Sequence, residues 1–191
     1  MRVLSVSGSP RKGNSEAIIL KFREILERFG AENEVILLRE KNIGRCDGCV
    51  EFCNHKLRCN KKDDMGEILK KIEKSDGYIF VTPNYFKMPP GIFKDFIDRC
   101  SIFYTASREK EVFGSKKSIV ICVGSGVTKE IDVCLDNVAK NFCEAIGLKV
   151  VAKKSYQTKS ELKGNSNDIF ENGMNPTIEK DLESMAKLLV E

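Results

Sequence analysis

The chain has 191 residues, 41% of them hydrophobic, which is enough apolar material for a folded core and argues against intrinsic disorder. Lys and Arg number 32 against 28 Asp and Glu, and a net charge of only +4 argues against a dedicated nucleic-acid binder. There is no apolar run of about 18 residues, and the N-terminus lacks the hydrophobic region of a signal peptide. We therefore expect a cytoplasmic protein that binds neither nucleic acid nor a membrane.

Apolar runs alternate with helical stripes along the chain. The sequence predicts five short strands, at residues 2–7, 33–38, 78–82, 117–123 and 148–152. After the first strand and its loop, Ile18, Phe22, Ile25 and Phe29 form one apolar stripe of a helix that is expected to stop at Gly30. Four further helices carry similar stripes, at about 65–72, 92–100, 131–146 and 178–189.

Each predicted strand is a continuous apolar run, which is typical of a parallel sheet covered by helices on both faces. Five such units favour an α/β, doubly wound sheet of flavodoxin-like strand order 2-1-3-4-5. No repeat or linker interrupts the pattern. We expect one domain over residues 1–191, with a cysteine loop lacking regular structure inserted at about 42–62 and a C-terminal helical tail from about 175, where Asn175-Pro176 resembles a helix start.

Eight cysteines are unusual for a cytoplasmic chain, where disulfides are rare. Four of them are scattered through predicted helices and strands, where a free thiol behaves as a small buried hydrophobe. These are Cys100, Cys122, Cys134 and Cys143. The other four lie within fourteen residues in the spacing C-x2-C-x3-C-x5-C and require another explanation. These are Cys46, Cys49, Cys53 and Cys59.

Three interpretations of the clustered cysteines compete. Disulfides conflict with the expected compartment. A structural zinc site commonly uses two separated C-x2-C pairs, whereas three of these cysteines are bunched together. An iron–sulfur cluster is bound by closely spaced thiolates, and the spacing favours this interpretation, with His55 as a substitute ligand.

Three loops are expected to meet at the carboxyl ends of the parallel strands, where such sheets bind ligands. The first loop, Gly8–Ser15, has the glycine spacing of a nucleoside triphosphate loop, but Asn14 stands where that loop requires lysine. It also lacks the G-x-G-x-x-G of dinucleotide sites. Its hydroxyl, amide and guanidinium donors, at the start of a helix, fit a phosphate monoester. The candidate donors are Ser7, Ser9, Arg11, Asn14 and Ser15.

The other two loops offer a surface for a planar ring. Aromatic side chains and an amide directly follow the third strand, as Pro83, Asn84, Tyr85 and Phe86. After the fourth strand, two glycines allow close approach of the backbone, in the run Gly124, Ser125 and Gly126. A phosphate site and a ring platform on one sheet point to flavin mononucleotide (FMN).

The run from Ser7 to Ser15 resembles the phosphate loop of the FMN-reductase branch of flavodoxin-like proteins. The run from Thr82 to Phe86, followed by Lys94–Arg99, is similar to the ring-contacting segment of that family. The cysteine loop running into Asp63-Asp64-Met65 narrows the resemblance to the iron–sulfur flavoproteins. That family implies FMN beside a [4Fe-4S] cluster, electrons received from ferredoxin, and homodimers or homotetramers. This chain departs from the family pattern by placing three residues, not two, between Cys49 and Cys53.

The leading hypothesis is an oxidoreductase that passes electrons from a ferredoxin-type donor through a [4Fe-4S] cluster to FMN and on to a small-molecule acceptor, such as oxygen, peroxide or a quinone. A modest excess of basic residues around the cysteines could steer an acidic ferredoxin. They are Arg45, Lys56, Arg58, Lys61 and Lys62. The alternatives are an NAD(P)H-dependent FMN or quinone reductase with zinc or no metal in the cysteine loop, and a non-catalytic flavin redox sensor.

Overall fold

The computed structural model describes residues 1–104, 112–158 and 174–191. The strands in these ranges are β1 Arg2–Ser7, β2 Glu32–Leu37, β3 Gly77–Pro83, β4 Lys117–Gly124 and β5 Lys149–Gln157. The helices are α1 Asn14–Arg28, α2 Val50–Lys56, α3 Met65–Lys74, α4 Gly91–Arg99, α5 Thr128–Val138 and α6 Pro176–Val190. A 3-10 turn, Leu38–Glu40, follows β2, and a π-helical turn, Ala139–Glu144, extends α5.

The five strands form one parallel sheet in the order β2-β1-β3-β4-β5. Both the order and the direction confirm the flavodoxin-like fold that the alternation of apolar runs and helical stripes predicts. The order reverses between β1 and β3, so the ends of these two strands flank the crevice where open α/β sheets bind ligands.

The central strands are apolar on both sides because helices cover both faces of the sheet. Ile79 and Val81 of β3 pack with α1 and α6, in a core that includes Phe22 and Leu182. Tyr78 and Phe80 of the same strand face the opposite way, into a core formed with α3, α4 and α5. There the Phe80 ring lies 5.4–6.4 Å, centroid to centroid, from the rings of three other buried phenylalanines, Phe93, Phe96 and Phe142.

The edge strands differ most from the sequence prediction. β5 extends to Gln157, five residues beyond the predicted end at residue 152. The added residues include Lys153 and Lys154, which form ion pairs with Asp136 and Asp181. An edge strand carries such charges at no cost in burial, so its end has no apolar signal. β2, on the other edge, begins and ends one residue earlier than predicted.

The cysteine loop was expected to lack regular structure, and this prediction is wrong for residues 50–56. They form the short helix α2, with Cys49 at its N-cap and Leu57 in the left-handed conformation (φ 49°) at its end. Two turns of helix are too short to show a recognisable periodicity in sequence.

The remaining predictions at this level are local. The four scattered cysteines are all buried, as predicted; they are Cys100, Cys122, Cys134 and Cys143. The predicted start of the C-terminal helix is also confirmed, because the Asn175 side chain accepts a hydrogen bond from the Thr177 backbone N–H at 2.8 Å. No helix in the described ranges is long and apolar enough to cross a membrane.

Candidate functional site

The loop after β1 lies flat against helix α4. The backbone N–H of Gly8 donates to the Val81 carbonyl at 2.8 Å, which ties the loop to the end of β3. A Cβ atom at position 8 would stand 2.6 Å from the ring carbon Cγ of Phe93. Only glycine fits this contact without displacing the ring. The sequence therefore folds the loop so that its backbone rests on a buried aromatic ring of α4.

Beyond Gly8 the loop is held by its own polar groups. The Ser9 hydroxyl donates to the Arg11 carbonyl at 2.7 Å and accepts from the Arg11 backbone N–H at 3.3 Å. The Gly13 carbonyl then accepts the backbone N–H groups of Glu16 and Ala17, which begins helix α1. First-turn N–H groups have no acceptor within a helix, and together with the helix dipole they attract anions. The loop therefore has the form of an anion site.

A buried ion pair fixes the start of α1. Glu16 in the first turn of α1 lies 2.8 Å from Arg39, which follows β2, with the side chains only 10% and 19% exposed. A carboxylate is also favourable at this end of a helix. This pair couples the loop to the edge of the sheet, and sequence reasoning missed it because the partners lie far apart in sequence and on different elements.

An open cleft of about 530 Å³ lies where the ends of β1, β3, β4 and β5 meet. Most of the residues predicted for the phosphate and ring sites line it: Ser9, Arg11, Asn14, Ser15, Pro83, Asn84, Tyr85, Gly124 and Ser125. The structure thus brings the three predicted loops together at one place. Three predicted residues do not line the cleft. These are Ser7, which is buried beneath the loop, Phe86 and Gly126.

Two buried polar atoms on the cleft wall have no hydrogen-bond partner among the described residues. One is Oδ1 of Asn84 and the other is Oγ1 of Thr158. Burying a polar atom without a partner costs free energy, so such atoms point to a bound ligand or water. The backbone of Thr158 donates to the Gly124 carbonyl at 2.7 Å, which places it beside the third loop. The sequence analysis missed Thr158 because this residue follows the second half of β5, residues 153–157, which was not predicted as strand.

The segment after β3 forms a two-residue hairpin at the mouth of the cleft. Tyr85 and Met88 exchange backbone hydrogen bonds at 2.8 and 3.1 Å. The two residues at the tip, Phe86 and Lys87, have positive φ values of 54° and 65°. The turn carries the Phe86 ring away from the cleft wall and leaves it 99% exposed, whereas Tyr85 remains on the wall.

The hairpin is held in place by helix α5. The amide of Asn137 donates to the Lys87 carbonyl at 3.2 Å, and the Lys87 ammonium lies 3.5 Å from Glu130. The strained tip conformation therefore persists through contacts made outside the hairpin.

The clustered cysteines lie in and around α2, and one of them, Cys59, contacts the C-terminal end of α4. Helix α2 places Cys53 one turn after Cys49, with the two sulfur atoms 3.7 Å apart. Burial of the Cys53 thiol, and the neighbouring thiols of Cys49, Cys59 and Cys46, raise the pKa of Cys53 to about 11. The Cys59 sulfur accepts a hydrogen bond from Nε of Arg99 at 3.1 Å. The three intervening residues between Cys49 and Cys53 are thus accommodated as one helical turn.

Within the described ranges, no three Cys, His, Asp or Glu side chains are grouped closely enough to hold a single metal ion. His55 is exposed on α2. The thiols of Cys46, Cys49 and Cys59 nevertheless lie close enough to Cys53 to contribute to the rise of its pKa.

Asp63, which directly precedes the N-cap residue of α3, has two roles. Its Oδ1 accepts the Met65 backbone N–H at 3.1 Å, whereas Asp64, at the N-cap itself, makes no side-chain capping bond. Its carboxylate also forms an ion pair with Arg99, and this hydrogen-bonded guanidinium is the main reason that the pKa of Asp63 lies below its ordinary value.

Helix α4 connects the two groups of residues. Phe93 near its start contacts the loop after β1, residues 8–15, which we call the anion loop. Arg99 at its end contacts Cys59. Six residues of α-helix rise about 9 Å. The loop after β1 and Cys59 are therefore held at opposite ends of one short helix.

The parallel sheet, the loop after β1 and the cleft at the strand ends define a flavodoxin-like α/β protein. A family model described as NADPH-dependent FMN reductase matches residues 1–158, and the chain belongs to this family.

Among curated relatives, an "Iron-sulfur flavoprotein" from Archaeoglobus fulgidus is 36% identical over 99 residues, which cover 52% of this chain and 48% of the relative. A second one from the same organism is 33% identical over 141 residues, covering 73% and 63%. The matched part thus spans about half to three-fifths of these relatives' lengths. Among solved structures, the chain is similar to an FMN-dependent NADH-azoreductase from Bacillus anthracis in complex with FMN. The match covers 100% of both chains with a TM-score of 0.70 at 16% sequence identity, and it shows a shared fold.

Proposed function

We propose that this protein is an FMN-dependent oxidoreductase of the iron–sulfur flavoprotein type. In this proposal the cleft binds FMN, and a [4Fe-4S] cluster is held by Cys46, Cys49, Cys53 and Cys59. Support comes from the family match and from the relatives named iron–sulfur flavoproteins. The observation that carries the proposal is that helix α4 contacts the loop after β1 through Phe93 and Cys59 through Arg99.

The residues of the cleft fit FMN at both ends of the molecule. The phosphate would lie at the start of α1, against the Ser9 and Ser15 hydroxyls and the first-turn N–H groups, with Arg11 adding charge. The ring would lie against Tyr85, where Asn84 Oδ1 and Thr158 Oγ1, which have no partner among the described residues, can meet its polar edge. These residues bind and orient the cofactor, and the cofactor itself supplies the redox chemistry.

The four thiols of the cysteine loop, called the cysteine segment from here on, are suitable ligands for an iron–sulfur cluster. Thiolates are the ligands that such clusters use, and each iron of the cluster takes its own sulfur. Four thiols spread around a cluster need not converge on one point, unlike the ligands of a single zinc ion. When bound, the cluster would supply single electrons and FMN would exchange two. The chain contributes the ligands and holds them within one segment beside α4.

The proposed donor is a ferredoxin-type protein, because basic side chains surround the cysteines. Two of these basic side chains already have partners within the protein. Lys61 forms an ion pair with Asp47 at 2.8 Å, and the Arg58 guanidinium lies 5.9 Å from the Phe52 ring centroid. The electrostatic attraction is therefore modest and should weaken in salt. The proposed acceptor is a small molecule that enters the open mouth of the cleft, and the proposed assembly is a homodimer or homotetramer.

The proposal is tested by purifying the protein without oxygen and recording its absorption spectrum, its FMN content, and its iron and acid-labile sulfide per chain. We expect one FMN per chain, with four iron and four sulfide. Absence of iron and sulfide after anaerobic reconstitution would refute the cluster, and absence of FMN would refute the cleft assignment.

Two cysteine variants distinguish a proposed cluster ligand from a cysteine that is only part of the core. Cys53→Ala should abolish iron incorporation, whereas Cys134→Ala removes a buried thiol of α5 and should leave the iron content unchanged. Equal iron in both variants would contradict the ligand assignment. Flavin reduction by reduced ferredoxin but not by NADPH is expected if the donor assignment is correct.

A second candidate is an NAD(P)H-dependent FMN or quinone reductase whose cysteine segment holds zinc or no metal. The family description and the 3.7 Å Cys49–Cys53 pair, in the absence of a grouped set of three ligands in the described ranges, favour it. It predicts a flavin spectrum without an iron–sulfur shoulder and rapid flavin reduction by NAD(P)H.

A further inference from the structure

Arg99 is the largest fully buried side chain among the described residues, and such complete burial is unusual for a charged group. Its guanidinium donates four hydrogen bonds. Two run to the Asp63 carboxylate, from Nη1 to Oδ2 at 2.7 Å and from Nη2 to Oδ1 at 2.9 Å. A third runs from Nη1 to the Gly44 carbonyl at 2.7 Å, and the fourth from Nε to the Cys59 sulfur at 3.1 Å.

These bonds join both ends of the cysteine segment to one side chain. Gly44 precedes the first clustered cysteine, whereas Cys59 is the last and Asp63 follows it. Asp63 completes the arrangement, because its Oδ2 also accepts the Gly44 backbone N–H at 2.9 Å. Arg99 and Asp63 therefore close the segment into a loop whose two ends are bonded to each other and to α4.

The fourth bond is not needed to satisfy the buried charge. Asp63 already offsets the guanidinium charge through two parallel bonds, the geometry in which arginine and carboxylate pair most strongly. The Nε–H could have pointed to a backbone carbonyl or to water, but it points to the sulfur of a cysteine. A charge-assisted donor at this atom lowers the free energy of negative charge on that sulfur.

We infer that Arg99 is a positioning residue for the thiol ligand set: it orients Cys59 and donates a hydrogen bond to its sulfur, and so raises the reduction potential of a cluster bound there. Hydrogen bonds to ligand sulfurs are among the determinants of cluster potential, because reduction adds one negative charge that such donors stabilise. This inference rests on the proposed function, since it assumes that Cys59 is a cluster ligand.

The test compares Arg99→Lys with Lys94→Met in the full chain. Arg99→Lys keeps the charge opposite Asp63 but loses the planar fork and the Nε–H. Lys94→Met removes one positive charge from an exposed position on the same helix, where Lys94 pairs with Asp98. The midpoint potential of each loaded protein is measured by a redox titration followed by electron paramagnetic resonance.

We expect Arg99→Lys to lower the equilibrium constant for one-electron reduction about tenfold relative to wild type, which is about 59 mV. Lys94→Met should leave it within twofold. Equal potentials in wild type and Arg99→Lys, with the cluster intact in both, would overturn the inference. If wild type itself holds no iron, the proposed function fails instead, so the two failures are distinguishable.

A measurement on the wild-type chain without cluster provides a check that needs no variant. The Arg99 Nε–H, buried and hydrogen-bonded, should exchange with solvent at least a hundredfold more slowly than that of the exposed Arg23 in nitrogen-15 NMR spectra. Exchange at equal rates would show that the bond to Cys59 is not formed and would overturn the inference even if the Arg99 variants fail to fold.

Discussion

The Phe93 ring occupies the space that any side chain at Gly8 would need, since a Cβ atom there would stand 2.6 Å from the ring. Phe93 is fully buried and packs against the rings of both Phe80 and Phe96. The anion loop therefore rests on a ring that cannot move without disturbing the core.

Gly8→Ala should displace the loop or the ring and lower the free energy of unfolding by about 1–3 kcal/mol. FMN affinity should fall as well, because the loop would no longer present its donors in one geometry. Urea denaturation and a fluorescence titration with FMN measure the two effects. Combining Gly8→Ala with Phe93→Leu should recover part of both losses, whereas strictly additive losses would contradict a direct contact.

Thr158→Val should affect stability and binding in opposite directions. Its hydroxyl is buried without a partner among the described residues, so removing it should leave the free energy of unfolding of the FMN-free protein unchanged or raise it by up to about 1 kcal/mol. FMN affinity should fall about tenfold, which is about 1.4 kcal/mol. Unfolding curves and FMN titrations provide the comparison.

Thr82→Val is the matched control for that experiment. The Thr82 hydroxyl is also buried but donates to the Pro83 carbonyl at 3.3 Å, so this variant should lose about 1 kcal/mol of stability. If Thr158→Val loses stability to the same extent, its hydroxyl has a partner and is not reserved for a ligand.

The Asp63–Arg99 pair predicts an acid-sensitive contribution to stability. The Arg99 guanidinium holds the pKa of Asp63 below its ordinary value of about 4, so the pair stabilises the fold fully above pH 4. This contribution is lost as the pH falls through the lowered pKa. Asp63→Asn should remove that part of the pH dependence and cost about 3–5 kcal/mol at neutral pH, because it leaves a buried charge unpaired.

Unfolding of the cluster-free protein between pH 2 and pH 7 tests this expectation. Asp98→Asn is the control, since it breaks an exposed ion pair with Lys94 on the same helix and should change stability by less than about 0.5 kcal/mol. A pH profile of Asp63→Asn that parallels wild type would show that other groups cause the acid sensitivity.

Lys87→Gly should relieve strain at the tip of the hairpin. Lys87 has a φ of 65°, which costs a non-glycine residue about 1 kcal/mol or more. The variant loses the exposed ion pair with Glu130, which contributes little. We expect a net gain of about 0.5–1 kcal/mol in the free energy of unfolding, measured in urea. Glu130→Gln removes only the ion pair, and a loss in Lys87→Gly equal to that of Glu130→Gln would exclude strain at this residue.

Most element positions could be predicted from the chain because they depend on local periodicity, and the alternation of strands with helices favoured the strand order that the structure shows. Strands such as β3 and β4 are buried on both faces, so their sequences are continuous apolar runs. The predicted end of β5 was wrong because the second half of this edge strand contains exposed lysines. Helix α2 was not predicted because it is too short to show an apolar periodicity. The anion loop was recognisable because its donors and glycines lie within nine consecutive residues.

What the sequence determined by itself is therefore the fold class, the three loops at the strand ends and the division of eight cysteines into four buried and four clustered. The tertiary structure alone decided which side chains meet across elements. Cys59 and Arg99 are 40 residues apart, and Thr158 reaches the cleft only because β5 continues past its apolar part. Periodicity reports which face of an element is buried, but it does not report which buried polar group of a distant element will lie opposite it.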